Sequence, residues 1–347
     1  MIRRILLLLI CGAAWGDTPF YSDKQHLLVY LDARGQPHDV LIKRDWEQRR
    51  GHILAGMQQA MGPLPAARKQ RLDMRVVEET RFPKYVRKKI TFKSEDDRVP
   101  AYLLIPTGRS GKLPAMLCLH QTVRIGKAEP AGLGSNSNLR YAVELAERGY
   151  VTLAPDYPGF GDYPFDAYAH GYQSATMKGI KNHMRAVDLL QSLREVNGKR
   201  IGAIGHSLGG HNALFAAAFD SRLRAVVTSC GFNSFSKYMK GDLTGWSHKG
   251  YMPRIASVYG KDPAKMPFDF TEVLGALAPR PVFINAPAGD ANFEVSGVKD
   301  CVEAALPVYK KILGAGDRLV AVYPDAKHEF PAAVREQAYQ FLDRWLR

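Results

Sequence analysis

Cysteines are few in this sequence, and they are too scattered to form a disulfide framework. There are 4 in 347 residues, and the three that lie beyond residue 16 (Cys118, Cys230 and Cys301) have no close spacing. No cluster of cysteine and histidine has the spacing of metal ligands, so the sequence implies no metal site. A chain of this length can bury a core that needs no disulfide bonds.

Acidic residues are also in short supply. The chain carries 48 Lys and Arg against 34 Asp and Glu, a formal net charge of +14. Residues 34–93 hold 15 basic and 6 acidic residues, which gives this stretch +9. Such a stretch can attract an anionic partner, or it can be a solvated cap that keeps the protein soluble, and charge alone favours the second interpretation. No helix-turn-helix, RNA-recognition core or zinc finger is present, so nucleic-acid binding is not expected.

No apolar run reaches the roughly 20 residues that cross a bilayer. Residues 1–16 instead have the pattern of a Sec-type signal peptide: two arginines, the apolar run 5–10, and small residues for cleavage near Gly16. We therefore predict a secreted or periplasmic protein with no stable membrane insertion after cleavage. Lipoprotein anchoring at Cys11 is the alternative, although the residue before that cysteine is a bulky isoleucine.

The rest of the chain divides into a basic N-terminal extension, residues 17–75, and a catalytic domain, residues 76–347. The extension has one helical pattern, over residues 45–61. In the domain, short apolar runs alternate with helical patterns, which is typical of a mainly parallel sheet covered on both faces. The predicted strands are 85–92 and 99–105, which form a hairpin, then 115–119, 151–154, 201–205, 225–229, 282–285 and 319–323. The predicted helices lie near 138–148, 174–196, 208–219, 297–313 and 331–346. A long insertion, about 231–279, is expected to be a lid or binding element.

A Gly-x-Ser-x-Gly pattern, Gly205-His206-Ser207-Leu208-Gly209, lies between a predicted strand and a predicted helix. A nucleophile elbow needs this order, because its serine occupies a strained strand-to-helix turn and the glycines leave room for close backbone approach. The helix N-terminus and the Leu208 amide can then stabilise an oxyanion. The pattern predicts Ser207 as the nucleophile and Leu208 as an oxyanion donor; the alternative is a plain glycine-rich turn.

A serine nucleophile needs a base that a carboxylate orients. His328 follows the last predicted strand and is the predicted base. Asp290 follows strand 282–285 and is the predicted acid, which gives the chain order serine, acid, histidine of this type of site. The other acidic residues considered for the role are Glu294, Asp262, Asp269 and Asp325, the last being too near His328 in sequence to reach the ring from the correct side.

The loop after strand 115–119 is expected to supply a second oxyanion donor. It begins His120-Gln121-Thr122, and we predict the amide of Gln121, with Thr122 as the alternative. Tyr157 and Trp246 are candidate substrate-binding residues, and local packing is an equally good interpretation of both.

These features together resemble the α/β-hydrolase superfamily. The motifs are Gly205 to Gly210, Asp156-Tyr157-Pro158-Gly159-Phe160-Gly161, Asp290 and His328, in this order. Within the superfamily, residues 76–347 look like the exported bacterial branch of acetyl xylan esterases and dienelactone-hydrolase-like proteins. The resemblance implies an eight-stranded, mostly parallel sheet with helices on both faces, no cofactor, and hydrolysis through an acyl-enzyme. Dienelactone hydrolases carry a cysteine where this chain has Ser207, which argues against lactone hydrolysis of that type.

The expected function is a serine carboxylic-ester hydrolase. By analogy, its substrate is a small-molecule ester or an ester on a plant polysaccharide, such as an acetyl or feruloyl group. One alternative is a serine peptidase or amidase with the same triad. The other is a catalytically silent, glycan-binding protein of the same fold, for which a complete and correctly ordered triad is unexpected.

Overall fold

The structure is a computed structural model that describes residues 18–66 and 70–347. The predicted signal peptide and Cys11 lie outside the described residues. Among the helices of the described residues, none combines the length and the apolar character that crossing a membrane requires.

Two strands near the N-terminus, β1 (Val29–Leu31) and β2 (Pro37–Asp39), form a small hairpin, and nine further strands form one sheet. Six of the nine run parallel to one another, and the three at one edge are antiparallel. In spatial order the strands are β11 (Leu319–Val322), β10 (Val282–Asn285), β9 (Leu223–Ser229), β8 (Val196–His206), β6 (Leu113–Leu119), β7 (Val151–Pro155), β5 (Asp97–Pro106), β4 (Tyr85–Ser94) and β3 (Arg75–Arg81). The α/β fold and the mostly parallel sheet are confirmed, with one strand more than the expected eight.

The extra strand, β3, has no apolar face from which it could be predicted. Six of its seven residues are exposed. It pairs with β4 through opposite charges, and the Lys88 ammonium lies 3.1 Å from the Glu79 carboxylate directly across the ladder. Charged side chains of this kind protect an edge strand from pairing with other chains.

Helices cover both faces of the sheet. They are α1 (Lys43–Met61), α2 (Tyr141–Glu147), α3 (Ala175–Ser192), α4 (Leu208–Phe219), α5 (Arg254–Ser257), α6 (Phe270–Leu277), α7 (Val295–Pro307) and α8 (Ala332–Leu346). Side chains of β6 alternate between two apolar cores: Leu117 packs on the side of α3 and α4, and Met116 and Cys118 pack on the side of α2 and α8. Because both sides are buried, the central strands are continuously apolar, which is why the sequence pattern located them.

Helix α1, the helical pattern of the extension, packs against α6. It begins with an Asp45 carboxylate that accepts the amides of Leu41 and Ile42, and it ends at Gly62, whose φ is 91°. Its buried face carries Arg49, which donates to Glu272 of α6 over 2.5 Å. Helix α6 was not predicted, since its residues lie inside the insertion and carry no polar face.

Candidate active site

Ser207 is the single residue between strand β8 and helix α4, and its φ of 53° and ψ of −117° give the backbone a conformation that is rare for a residue with a side chain. The neighbouring glycines are required by close packing. A Cβ on Gly205 would lie 2.2 Å from the carbonyl of Gly209, and a Cβ on Gly209 would lie 1.9 Å from the carbonyl oxygen of Leu119. This is the geometry of a nucleophile elbow, with a serine at its tip.

The contact between Gly209 and Leu119 also brings the loop after β6 against the start of α4. Gln121 lies two residues beyond Leu119, and Leu208 is the first residue of the helix. Neither of their amides donates a backbone hydrogen bond to residues 18–66 or 70–347. Both donors are therefore available to an oxyanion, which stays the predicted role of Leu208 and Gln121.

His120 fixes the loop that carries Gln121. The amide of Tyr157 donates to Nε2 of His120 over 3.0 Å, so this nitrogen accepts and Nδ1 carries the proton. Nδ1 then donates to the carbonyl of Gln121 over 2.6 Å. Burial lowers the pKa of His120 and keeps the ring neutral. The ring therefore holds the loop in place.

His328 and Asp290, which are 38 residues apart in sequence, meet at the edge of the sheet where β10 and β11 end. The Nδ1 atom of His328 lies 3.0 and 2.9 Å from the two oxygens of Asp290. Asp290 is buried, whereas the His328 side chain is 32% exposed. The His206 ring, next to the elbow serine, lies edge-on to the His328 ring with centroids 4.9 Å apart.

The environment of Asp290 favours its ionised form. Burial alone would raise the pKa of this carboxyl, but the hydrogen bond from His328 and the amides of Asn292 and Phe293 bring it below the usual value. An ionised carboxylate only accepts, so His328 Nδ1 is the donor and Nε2 is left free to take a proton. The pair thus has the geometry of a general base and its orienting acid.

The other acids considered from the sequence have different roles. Three of them accept backbone amides at helix N-termini: Asp269 at α6, Glu294 at α7 and Asp262 at a short 3₁₀ helix. Asp325 is exposed. The hydrogen bond to His328 comes from Asp290, so it remains the predicted acid.

Sequence reasoning missed a polar network that lies behind the pair. The Asn285 amide donates to Ser229 Oγ over 2.8 Å and to the carbonyl of Glu329 over 2.9 Å. Ser229 Oγ in turn lies 2.9 Å from Nδ1 of His206. Because Glu329 follows His328, the network ties the base to the ends of β9 and β10. Polar residues that end two apolar strands were the signal that could have revealed it.

The thiol of Cys230 completes a group with Asp290 and His328 in which the ligand atoms lie within 4.8 Å of one another. Sequence spacing could not show this group, since its members come from three separate loops. Burial raises the pKa of the thiol well above its usual value, and its sulfur lies 3.4 Å from the carbonyl of Glu329. With a protonated thiol and an existing bond between Asp290 and His328, we assign the group to the hydrolytic site and not to a metal.

The two candidate substrate-binding aromatics are packed into the protein. Tyr157 is 2% exposed and its hydroxyl donates to the carbonyl of Gly250, while Trp246 is 3% exposed with its ring 4.8 Å from that of His211. Both side chains are therefore packed inside the protein, which was the alternative interpretation of their sequence positions. The half-buried Tyr251 lies nearby, and its hydroxyl is 2.8 Å from Oγ1 of Thr122. This contact joins the insertion to the loop that carries Gln121.

The histidines around the elbow predict a dependence of stability on pH. Burial lowers the pKa of His183, His206 and His211 to about 3. In the unfolded chain these histidines are protonated below about pH 6.5, whereas in the folded protein they stay neutral down to about pH 3. The free energy of unfolding is therefore unaffected by them above pH 6.5 and decreases as the pH falls from 6.5 towards 3. At pH 5 each buried histidine lowers the free energy of unfolding by about 2 kcal/mol, since one pKa unit corresponds to about 1.4 kcal/mol.

We therefore expect the free energy of unfolding to fall less between pH 7.5 and 5 in His183→Gln than in the wild type, by about 2 kcal/mol. Urea unfolding at the two pH values measures this. His26→Gln, which changes an exposed histidine, is the control and should behave as the wild type does. An identical pH dependence in all three proteins would contradict a neutral His183.

Comparisons with known proteins identify the family of this chain. A family model described as the prolyl oligopeptidase family matches residues 137–347, which include Ser207, Asp290 and His328. The Bacillus subtilis protein YtaP is 29% identical over 264 residues, covering 72% of this chain and 84% of YtaP. Six further curated relatives are matched over 14% to 60% of their own lengths.

Solved structures share the fold at low sequence identity. A glucuronoyl esterase from Solibacter usitatus superimposes with a TM-score of 0.70 at 19% identity, covering 92% of this chain and 97% of that one. Acetyl xylan esterase 1 from Thermoanaerobacterium gives a TM-score of 0.57 at 17% identity, covering 84% and 92%. At these identities the likeness establishes the α/β-hydrolase fold.

Proposed function

The chain belongs to the prolyl oligopeptidase family, and from this premise we propose that it is a serine hydrolase that cleaves carboxylic esters through an acyl-enzyme. The observation that carries the proposal is the Asp290–His328 pair, with its free Nε2, beside an elbow whose tip is Ser207. These are the three groups that acyl transfer by a serine requires.

The chemistry follows from the roles of these groups. Nε2 of His328 takes the proton of Ser207 while Oγ attacks the ester carbonyl, and the Asp290 carboxylate stabilises the imidazolium that forms. The amides of Leu208 and Gln121 donate to the oxyanion. The C–O bond then breaks, the alcohol leaves with the proton from His328, and water, activated by the same histidine, releases the acid from Ser207.

For the substrate we propose an ester on a plant polysaccharide. The superimposed solved structures are named as glucuronoyl and acetyl xylan esterases, and these names describe those proteins. In a glucuronoyl ester the sugar supplies the acid, and in an acetyl xylan ester it supplies the alcohol. Both types of ester are candidate substrates here. The export proposed from residues 1–16 would deliver the protein to such polymers.

A peptidase or amidase is the second candidate, because the family is named for an oligopeptidase. The same triad can attack an amide, whose leaving group is poorer. The two reactions are therefore distinguished by their rates on matched substrates.

The test is hydrolysis of matched substrates by the purified protein: p-nitrophenyl acetate and p-nitroacetanilide, which share the acetyl group, and then acetylated xylan and a methyl glucuronate ester. We expect kcat/KM for the ester to exceed that for the anilide at least about 100-fold, and release of acetate or methanol from one of the glycan esters. A ratio near one would favour the amidase. No turnover of any substrate would favour a catalytically silent glycan-binding protein.

A further inference from the structure

Four arginines surround a cavity at the end of the sheet opposite to the catalytic residues. The cavity has a volume of about 460 Å³ and is lined by Arg50, Arg224, Arg280, Arg318 and Trp345, among others. Arg224 lies at the start of β9, and Arg280 and Arg318 lie just before β10 and β11, three strands that are neighbours in the sheet. Along the seven residues of β9, the catalytic end of the sheet is about 20 Å away, at 3.3 Å per residue.

Some of the guanidinium groups are held by backbone carbonyls. Arg50 donates to Ala276 and Ala218, in the last turns of α6 and α4, over 2.8 and 2.9 Å. Arg280 donates to three carbonyls and Arg318 to one, at distances of 3.1 to 3.3 Å. Arginines at helix C-termini stabilise those ends, so a purely structural role accounts for these bonds.

This structural role does not account for the positive charge of the four guanidinium groups. Within residues 18–66 and 70–347, none of the four guanidinium groups has a carboxylate within 4 Å, and the exposed side chain of Arg224 makes no hydrogen bond. The acids of adjacent loops are engaged elsewhere, Asp220 with Arg222 and Asp317 with Arg344. Four positive charges thus share one cavity, and in the described residues no carboxylate forms an ion pair with any of them.

The protonation of Arg280 shows the effect of this arrangement. Burial lowers its pKa to about 10. The charges of Arg50 and Arg224 act in the same direction, and Tyr309 and Asp220 act against them. A bound anion would offset this repulsion, and guanidinium groups are well suited to oxyanions because their N–H groups match the spacing of carboxylate and phosphate oxygens.

We propose that this cavity is an anion-binding site, separate from the catalytic site, that takes a small oxyanion: a phosphate or the carboxylate of an acidic sugar. Arg224 and Arg318 supply free donors at its mouth, and Arg50 and Arg280 supply the positive charge of its floor. Trp345, over which Arg318 lies at 4.9 Å, forms one apolar wall.

The test is isothermal titration of the full chain with inorganic phosphate and, separately, with glucuronate, at constant ionic strength. We expect saturable binding of at least one of them, weakened about tenfold in Arg224→Gln, since one charge-assisted contact is worth about 1.4 kcal/mol. Arg194→Gln is the matched control, because Arg194 is 93% exposed and loses the same charge outside the cavity. Its affinity should equal that of the wild type.

The outcomes are distinct from those of the esterase test. Binding of phosphate alone or of glucuronate alone identifies the source of the oxyanion, and both results support the site. No saturable binding of either, or equal affinities in wild type, Arg224→Gln and Arg194→Gln, overturns it. If Arg224→Gln folds poorly, Arg318→Gln replaces it, and circular dichroism of each variant reports on folding. Ester hydrolysis by Arg224→Gln should be unchanged, since no catalytic residue lies in the cavity.

Discussion

Replacing Ser207 by alanine is expected to lower kcat for p-nitrophenyl acetate at least about 10³-fold, in the range found when a triad nucleophile is removed. The substitution deletes only Oγ, so the Cβ and the strained turn remain and the midpoint of thermal unfolding should stay within about 1 °C of the wild type. The loss therefore comes from chemistry. Any remaining hydrolysis would come from the oxyanion donors and from water that His328 activates.

The measurement combines steady-state rates with a rapid-mixing assay. The wild type should release one p-nitrophenolate per chain in an initial burst, as an acyl-enzyme mechanism with slow deacylation predicts, and Ser207→Ala should show none. Ser257→Ala, at an exposed position of α5, is the control for handling and should keep full activity. Combining Ser207→Ala with His328→Ala should cost little more than either change alone, because the residues act as a unit. More than a tenth of wild-type kcat in Ser207→Ala would exclude the proposed nucleophile.

Much of this site could be predicted because its parts carry local sequence signals. The strands that precede Ser207, Asp290 and His328 each appear in the sequence as a short apolar run. The last residues of β8 and all of β10 are buried, and β11 is partly buried. A parallel sheet brings such strand ends to one edge. The chain order of the three residues then leaves few alternatives, and the structure places Asp290 and His328 in contact.

What could not be predicted depends on contacts between distant segments. Asn285 bonds Ser229 and the carbonyl of Glu329, which are 56 and 44 residues away. Its place at the end of an apolar strand marks it as unusual, but the local sequence does not identify its partners. The strand β3 pairs with β4 in the ladder and carries one charge pair across it, Lys88 with Glu79, and its sequence has no apolar period. The arginine cavity is assembled from four positions that span residues 50–318. The local sequence pattern locates the strands and helices. The contacts between polar side chains that are distant in sequence depend on the three-dimensional packing.

The extension is a similar case, since its basic composition suggested a solvated cap. The structure instead buries Arg49 of α1 against Glu272 of α6, with both side chains at most 2% exposed. The Arg49 guanidinium also lies 3.4 Å above the ring of Tyr21. We propose from this that residues 18–66 fold together with the catalytic domain as one unit, and that the surplus positive charge lies on their outer surface.

Breaking this ion pair is the strongest test of that proposal. Arg49→Met should lower the free energy of unfolding by about 3–5 kcal/mol, because it leaves the Glu272 carboxylate buried without its partner. Urea unfolding of the full chain measures the change. Lys43→Met removes a charge from the same helix at an exposed position, where its pair with Glu47 spans 3.7 Å, and should cost less than about 0.5 kcal/mol.

Adding Glu272→Gln to Arg49→Met separates the buried charge from packing. Glu272 also accepts the amide of Asp269 at the start of α6, and a glutamine oxygen can keep that bond while removing the charge. The double variant should therefore recover at least half of the lost stability, a coupling of about 2 kcal/mol between two residues that are 223 positions apart. If Arg49→Met costs no more than Lys43→Met, or if unfolding shows a separate early transition, the extension does not fold as part of the catalytic domain. A single cooperative transition that shifts as a whole is the result expected of one folding unit.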